Sequence, residues 1–443
     1  MRICVVGTGH VGLVTCASLA RFGHEVVGVD QDEAKIGQLQ AGECPFFEPG
    51  LPELVEEGVQ AGRLSFSTDT QVGAENAEVI FICVGTPARE TGEANLVAVE
   101  SAARQTVRHL KGPAVIVEKS TVPAGTAHRL KLTIARERPD LADQIDVVSN
   151  PEFLREGKGV DDSLKPDRIL VGAETDRAFA AMREVYATVI EQGAPVFETN
   201  IATAELAKHA CNAFLATKIS FANALALLCE RAGADVVAVA DVMGADERIG
   251  RQFLNAGLGW GGYCFPKDLL AFDRLSTRLG YDFGMLKEVN KINEDAVHSA
   301  IDKVKDALWN MEDKTVAILG LAFKPLTDDV RFSPALHAAR LLLDEGARVV
   351  GFDPQANANA KAEVPDLEIA SNAYDACEGA HCLLLATDWP EFANLDLEEL
   401  KNKMAYPVIV DGRNLFDTAA LEEAGFTYYP TGRAASSGAR GDA

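Results

Sequence analysis

Short apolar runs alternate with longer segments of helical composition through the first third of the chain. "RICVVG" (2–7), "EVVGVD" (25–30), "EVIFICVG" (78–85), "AVIVEKS" (114–120) and "DVVSN" (146–150) read as strands buried on both faces. "RILVGAE" (168–174) and "APVFET" (194–199) carry the series to about residue 200. This rhythm predicts a parallel sheet with crossover helices. The pattern then changes. "TAELAKHACNAFLATKISFANALALLCERA" (203–232) has no proline or glycine, is apolar on more than one face, and meets Gly233 as a stop. It predicts a single helix roughly 45 Å long, a spine with a candidate dimer surface. From 314 the alternation restarts with "KTVAILG" (314–320), "RVVGFD" (348–353), "HCLLLAT" (381–387) and "PVIVDG" (407–412). The expected fold is α/β, two Rossmann-like doubly wound domains joined by a long central helix. Its expected parts are 1–200, a helical middle over 201–310, a second α/β domain over 311–430, and a polar tail over 431–443 expected to be disordered.

The first strand runs into "VVGTGHVG", which sets Gly7, Gly9 and Gly12 in G-x-G-x-x-G spacing around Val11 and opens a helix. Such a turn admits a pyrophosphate at a helix N-terminus, and Asp30 at the end of the next strand suits a ribose 2′-hydroxyl. An acid there repels a 2′-phosphate, so the expected cofactor is NAD, with Lys35 beside its adenosine end. "CVGTP" (83–87) and "EKSTVPAGT" (118–126) place Thr86 and Thr121 at strand ends, where a doubly wound sheet binds ligands. "NPEFLREG" (150–157) carries Glu152 and Glu156 four apart, one face of a helical turn if it is helical. Lys208 and Asn212 have the same spacing in the long helix. Taken alone, each of these pairs also fits a solvated face.

Composition narrows the partners. The chain has 443 residues, with 42 Lys+Arg against 66 Asp+Glu and a formal charge of −24, which disfavours nucleic acid and anionic membrane. The nine cysteines show no CxxC pair, which argues against a disulfide framework or structural zinc, and a cytoplasmic setting is expected. No metal site is expected. Gly7, Gly9 and Gly12 interrupt the apolar N-terminus, so it does not read as a signal peptide, and no uninterrupted apolar run approaches a membrane span.

One cysteine stands apart. "GLGWGGYCFPKD" (257–268) sets Cys264 after a glycine loop and before Pro266, Lys267 and Asp268. Proline suits the first turn of the helix that "KDLLAFDRLSTRLG" predicts, and a helix N-terminus with a nearby lysine favours a thiolate.

Together, "STVPAGT", "NPEFLREG", "AELAKHACNAFLA", "GLGWGGYCFPKD" and "GLAFKPLTDDVR" resemble the UDP-glucose 6-dehydrogenase family, within the nucleotide-sugar dehydrogenases that include GDP-mannose dehydrogenase. The resemblance runs from "GTGHVG" to "DGRN" (411–414). It implies a four-electron oxidation of a sugar primary alcohol to a carboxylate with two NAD through a covalent cysteine adduct. It makes Cys264 the nucleophile, Lys208 the stabiliser of the oxyanion, and Asn212 a sugar ligand. It gives Asp268 and Thr121 a water and Glu152 the proton transfers. Glu156, Lys267 and Arg331 match positions near the cofactor. Phe153, Leu154, Arg155, Phe253, Leu254, Asn255, Gly257 and Gly261 match segments around the sugar nucleotide. Lys324, Arg413 and Arg248 are cations for phosphate or sugar, such arginines coming in some members from a neighbouring subunit. "GLAFK" (320–324) lacks the dinucleotide glycine pattern, so the second domain is expected to hold a UDP-sugar rather than a second NAD. Tyr263 stands where serine is common in the family and Trp260 where tyrosine or phenylalanine is common. The alternatives are the same chemistry on another nucleotide sugar such as GDP-mannose, or a catalytically silent nucleotide-sugar sensor.

Overall fold

A computed structural model describes residues 1–435. The chain divides into two compact units, one formed by 1–211 with 270–281 and the other by 212–269 with 282–443. The first unit holds an eight-stranded sheet. Its strands are β1 (Arg2–Val6), β2 (Glu25–Val29), β3 (Leu64–Ser67), β4 (Val79–Ile82), β5 (Ala114–Glu118), β6 (Ile145–Ser149), β7 (Ile169–Gly172) and β8 (Val196–Thr199). They lie in the order β3-β2-β1-β4-β5-β6-β7-β8, parallel except where Ser149 of β6 faces Gly172 of β7. Apolar clusters cover both faces, one around Leu13, Val55 and Val115, the other around Ala103, Ile116 and Leu130, which is why the strands read as continuous apolar runs. The strand order reverses between β1 and β4, and a ligand crevice opens at the carboxyl ends of such a pair.

The second unit holds a six-stranded, all-parallel sheet. Its strands are β9 (Thr315–Leu319), β10 (Arg348–Phe352), β11 (Glu368–Ile369), β12 (Cys382–Leu385), β13 (Val408–Asp411) and β14 (Thr427–Pro430), in the order β11-β10-β9-β12-β13-β14. That is the classic dinucleotide-sheet order counted from β9. The strands not foreseen from the sequence are β3, β11 and β14. All are short and lie at sheet edges or among polar residues, so no long apolar run marks them. Residues 431–433 are tied down rather than loose: the Gly432 N–H donates to Glu230 at 2.7 Å and Arg433 pairs with Asp235. The rest of the tail expected to be disordered, 436–443, lies outside the described residues.

The spine is an unbroken helix over Ile201–Ala232, and Gly233 (φ +70°) ends it, its left-handed backbone costing glycine little. Length and composition alone would let this helix cross a membrane, but it carries buried Glu205, Lys208, His209 and Asn212. The helix Cys264–Arg278 starts at the cysteine itself and ends at Gly280 (φ +82°), where the Tyr281 N–H reaches back to the Ser276 carbonyl at 2.9 Å.

Candidate active site

In the first unit the turn after β1 is set by glycine geometry. A Cβ on Gly12 would lie 1.8 Å from the Gly7 carbonyl oxygen, and one on Gly7 (φ +92°) 2.8 Å from that of Cys83. Nothing lies within 4 Å of where a Gly9 side chain would start. The helix His10–Arg21 begins there without a side-chain cap, and its second residue is Val11. Asp30 accepts the Thr8 N–H at 2.8 Å and the Lys35 ammonium at 3.1 Å. Burial works against its charge, but the Thr8 and Asp32 N–H groups and Lys35 outweigh it and hold the carboxyl below its usual range.

Thr86 and Thr121, far apart in sequence, are brought together, the Thr86 hydroxyl donating to the Thr121 carbonyl at 3.0 Å. The stretch 151–158 is not helical, so Glu152 and Glu156 do not share a helical face; Pro151 and Gly157 break the turn. Glu152 instead turns inward, accepts the Leu154 N–H at 2.6 Å, and pairs with Lys208 at 3.1 Å, both side chains buried. Phe153 lies under two cations, Arg168 at 3.8 Å and Lys208 at 5.1 Å from its ring centre. Arg155 is engaged by Asp162 and Glu156 is half-buried. The polar stripe of the long helix is therefore not solvated: Lys208 and Asn212 are both buried.

In the second unit Cys264 is half-buried at the first residue of its helix. Asp268, one turn on, accepts from the Asn212 amide at 2.6 Å and pairs with Lys267 at 2.5 Å. Burial draws the Lys267 ammonium down, but Asp268 and then the Cys264 sulfur outweigh it, so its pKa is raised and the cation is held. Tyr263 lies between Arg331, 4.3 Å from its ring centre, and Lys267 at 5.4 Å. Trp260 donates its indole N–H to Ser220 at 2.9 Å, and its backbone N–H goes to Asn293 at 2.7 Å, which pins the glycine loop to two helices.

The close approach that the loop glycines permit is to the chain itself. A Cβ on Gly261 would meet the Phe332 carbonyl oxygen at 2.2 Å and one on Gly257 that of Gly412 at 2.7 Å. Before them, Phe253 adopts φ +65°, Leu254 is buried and exposed Asn255 accepts from Arg251. Arg413 donates to the Ala386 carbonyl at 2.7 Å, and Lys324 lies over Phe323 at 5.6 Å. Arg248 is exposed and chelated by Asp246.

Three family models match the chain in order: the UDP-glucose/GDP-mannose dehydrogenase family NAD binding domain over 1–190, its central domain over 202–295, and its UDP binding domain over 317–418. The chain belongs to the UDP-glucose/GDP-mannose dehydrogenase family. The UDP-glucose 6-dehydrogenase TuaD of Bacillus subtilis (strain 168) is 43% identical over 438 residues, 99% of this chain and 94% of that one. A UDP-glucose 6-dehydrogenase of Rhizobium meliloti (strain 1021) is 43% identical over 437 residues, 98% of this chain and 100% of its own. The solved structure of a UDP-glucose dehydrogenase from the hyperthermophilic archaeon Pyrobaculum islandicum matches with a TM-score of 0.89 at 39% identity, covering 98% of each chain.

Membership in this family explains why the two sheets differ in detail. They share one device: a glycine in left-handed conformation after the first strand and an aspartate at the end of the second. Gly7 donates to the Val29 carbonyl at 2.7 Å and Gly320 (φ +87°) to that of Phe352 at 2.8 Å. Asp30 accepts the Thr8 N–H, and Asp353 accepts those of Leu321 at 2.7 Å and Ala322 at 3.0 Å. The sequence carries this repeat as "VVGVD" and "VVGFD". Asp353, however, is fully buried and takes the Trp389 indole N–H at 3.1 Å, so it is sealed from any ribose. The open turn at Gly9, the uncapped helix start and the partly accessible Asp30 fit NAD in the first sheet; the sealed acid does not fit a second NAD in the other.

Sequence reasoning passed over buried Lys119, bonded to Asn150 and Tyr186 at 3.1 Å each. It also passed over Glu205, which receives the N–H groups of Gly125 and Ala127, and Glu48, which receives those of Gly157 and Gly159 and pairs with His10. Each partner lies dozens of residues away, and only Asp353 left a sequence signal, the repeated strand ending.

Proposed function

We propose that the protein oxidises UDP-glucose at C6 twice, through the aldehyde level, to UDP-glucuronate. NAD, when bound, supplies the hydride acceptor for both oxidations, one molecule for each. An aldehyde carbon has no second hydride to lose until a nucleophile adds to it. The Cys264 sulfur, as thiolate, adds to C6 and gives a thiohemiacetal; the second oxidation makes a thioester, and water releases the carboxylate and returns the thiol. The helix N-terminus and the Lys267 ammonium favour the thiolate. Lys208 stabilises negative charge on the C6 oxygen. Asp268 and Thr121 hold the water, Glu152 moves protons, and Asn212 orients the sugar hydroxyls. Gly7, Gly9, Val11, Gly12, Asp30, Lys35, Thr86, Glu156, Lys267 and Arg331 serve the cofactor. Phe153, Leu154, Arg155, Phe253, Leu254, Asn255, Gly257, Gly261, Lys324, Arg413 and Arg248 serve the sugar nucleotide. In this reading 1–200 binds NAD, 201–310 carries the thiol and spine, and 311–430 binds the uridine diphosphate.

The observation that carries the reading is Cys264 at the head of its helix beside the Lys267–Asp268 pair, with Asn212 bonded to that same aspartate. A one-step alcohol dehydrogenase needs no such thiol. We assign the chain to a homodimer through the exposed side of the long helix and to the cytoplasm, where its nine cysteines, none of them in a disulfide, stay reduced. The test is NADH formed per sugar consumed across a panel of UDP- and GDP-sugars. The expected ratio is about 2 with UDP-glucose, and a ratio near 1 would sink the two-step mechanism. Cys264→Ala is expected to accumulate no acid product.

A further inference from the structure

We propose that a cavity in the first unit, lined by none of the residues assigned above to NAD or the sugar nucleotide, binds a nucleoside triphosphate. The cavity measures about 640 Å³, within the range of small-ligand sites. It is walled by the hairpin 87–95, the helices Val97–His109 and Thr126–Glu137, and the last two turns of the helix Cys264–Arg278. Five arginines line it, Arg89, Arg129, Arg136, Arg274 and Arg278, against the two carboxylates Glu93 and Glu100, leaving a net of three positive charges.

That gathering runs against the rest of the molecule, which carries a net −24. Elsewhere arginines hold carboxylates: Arg21 with Glu57, Arg138 with Asp140, Arg183 with Glu198, Arg340 with Glu363 and Arg348 with Glu368. Among the described residues Arg129, Arg136 and Arg274 have no carboxylate within 4.0 Å. Arg278 reaches only the Ala124 carbonyl and Arg89 only Asn95, both at 3.5 Å. Guanidinium groups collected around one cavity repel until an anion joins them, and their forked donors suit phosphate oxygens.

The helix N-terminus in the wall does not supply the anion site, because the Gly125 and Ala127 N–H groups are already taken by Glu205. The arginines must do so. Their net of three positive charges offsets most of the charge of about −4 on a triphosphate. Leu96, Val97, Leu130, Leu132 and Leu275 add an apolar lining for a base, and Val97 and Leu132 stay exposed without one. The hairpin begins one residue after Thr86, the lining segment 123–136 begins two residues after Thr121, and the last wall is the helix headed by Cys264. A ligand here touches three segments that continue into the proposed reaction residues.

The test is calorimetric titration of UTP into the full chain held in saturating NADH and UDP. The expected result is one further UTP per chain, with affinity falling as salt rises. Arg129→Glu with Arg274→Glu is expected to weaken that binding at least tenfold and leave the KM for NAD and UDP-glucose unchanged. Arg274→Gln alone, milder for folding, is expected to weaken it severalfold. Tripolyphosphate is expected to bind at least tenfold more weakly than UTP. No UTP uptake beyond the NADH and UDP sites, or undiminished uptake in the arginine variants, overturns the proposal. Equal affinity for tripolyphosphate overturns the assignment to a nucleoside.

Discussion

Tyr263 shows what a single residue contributes beside the nucleophile. Its ring is held between the Lys267 and Arg331 cations, and burial pushes its hydroxyl above the ordinary range although both cations draw it down. A cation–π contact is worth about 0.5–2 kcal/mol. Tyr263→Ser is therefore expected to raise the KM for NAD roughly 2- to 30-fold, while Tyr263→Phe stays near the parent; equal effects of both changes on steady-state kinetics would refute the stacking role. Glu118 makes a different case. It is fully buried, neither carboxylate oxygen has a hydrogen-bond partner, and burial, with Glu205 nearby, raises its pKa well above the usual range. Above the unfolded value of about 4.3 the unfolded chain has released a proton that the folded chain still holds, so stability falls as pH rises toward the folded pKa. Glu118→Gln removes that slope. Its Tm advantage over the parent is expected to grow from pH 5 to pH 8 and to vanish near pH 4. Neither residue's role was legible in the sequence, because the groups that surround each side chain come from remote segments.

At the scale of elements, the long helix was the most legible piece: an unbroken run of good helix formers closed by Gly233. The sequence also named its apolar positions but not their destinations. Ala213, Ala216, Ala222 and Ala226 are buried, whereas Leu206, Phe214, Phe221 and Leu228 stay exposed, the last three at intervals of seven residues. Sevenfold spacing keeps side chains on nearly one line of a helix, as a helix–helix seam requires. Phe214→Glu with Phe221→Glu is expected to give monomers by light scattering with helicity unchanged; retained dimers would move the interface elsewhere. The glycine loop was legible as a loop, but its purpose was not. Gly261→Ala would drive a methyl onto the Phe332 carbonyl. A loss of about 1–3 kcal/mol is expected, read as a lower Tm, with activity falling as the loop that carries Cys264 shifts.

Across the whole molecule, two sheets repeat one order over six parallel strands and one glycine–aspartate device, and burial gives the two aspartates different uses. Asp30→Ala is expected to weaken NAD binding about 10- to 150-fold with little change in Tm, since a hydrogen bond to a charged group is worth about 1.5–3 kcal/mol. Asp353→Ala is expected to do the reverse. It strands the N–H groups of Leu321, Ala322 and Trp389, so stability drops by about 3 kcal/mol or more while the KM for NAD holds. Matching phenotypes at the two positions would refute the division of labour.

The sequence by itself determined the alternation of strands and helices, the dinucleotide turn, the spine, and the company around Cys264. These depend on neighbours along the chain: buried strands need apolar runs, the turn needs glycines at fixed spacing, and a helix start needs its own local residues. Only the tertiary structure decided that Glu152 pairs with Lys208 in a loop rather than a helical turn, that Tyr263 is clasped by Arg331, and that Asp353 is sealed by Trp389. It also gathered five arginines from separate segments around one cavity. Each of these depends on which distant residues share a space and whether water reaches them, and no local pattern encodes that.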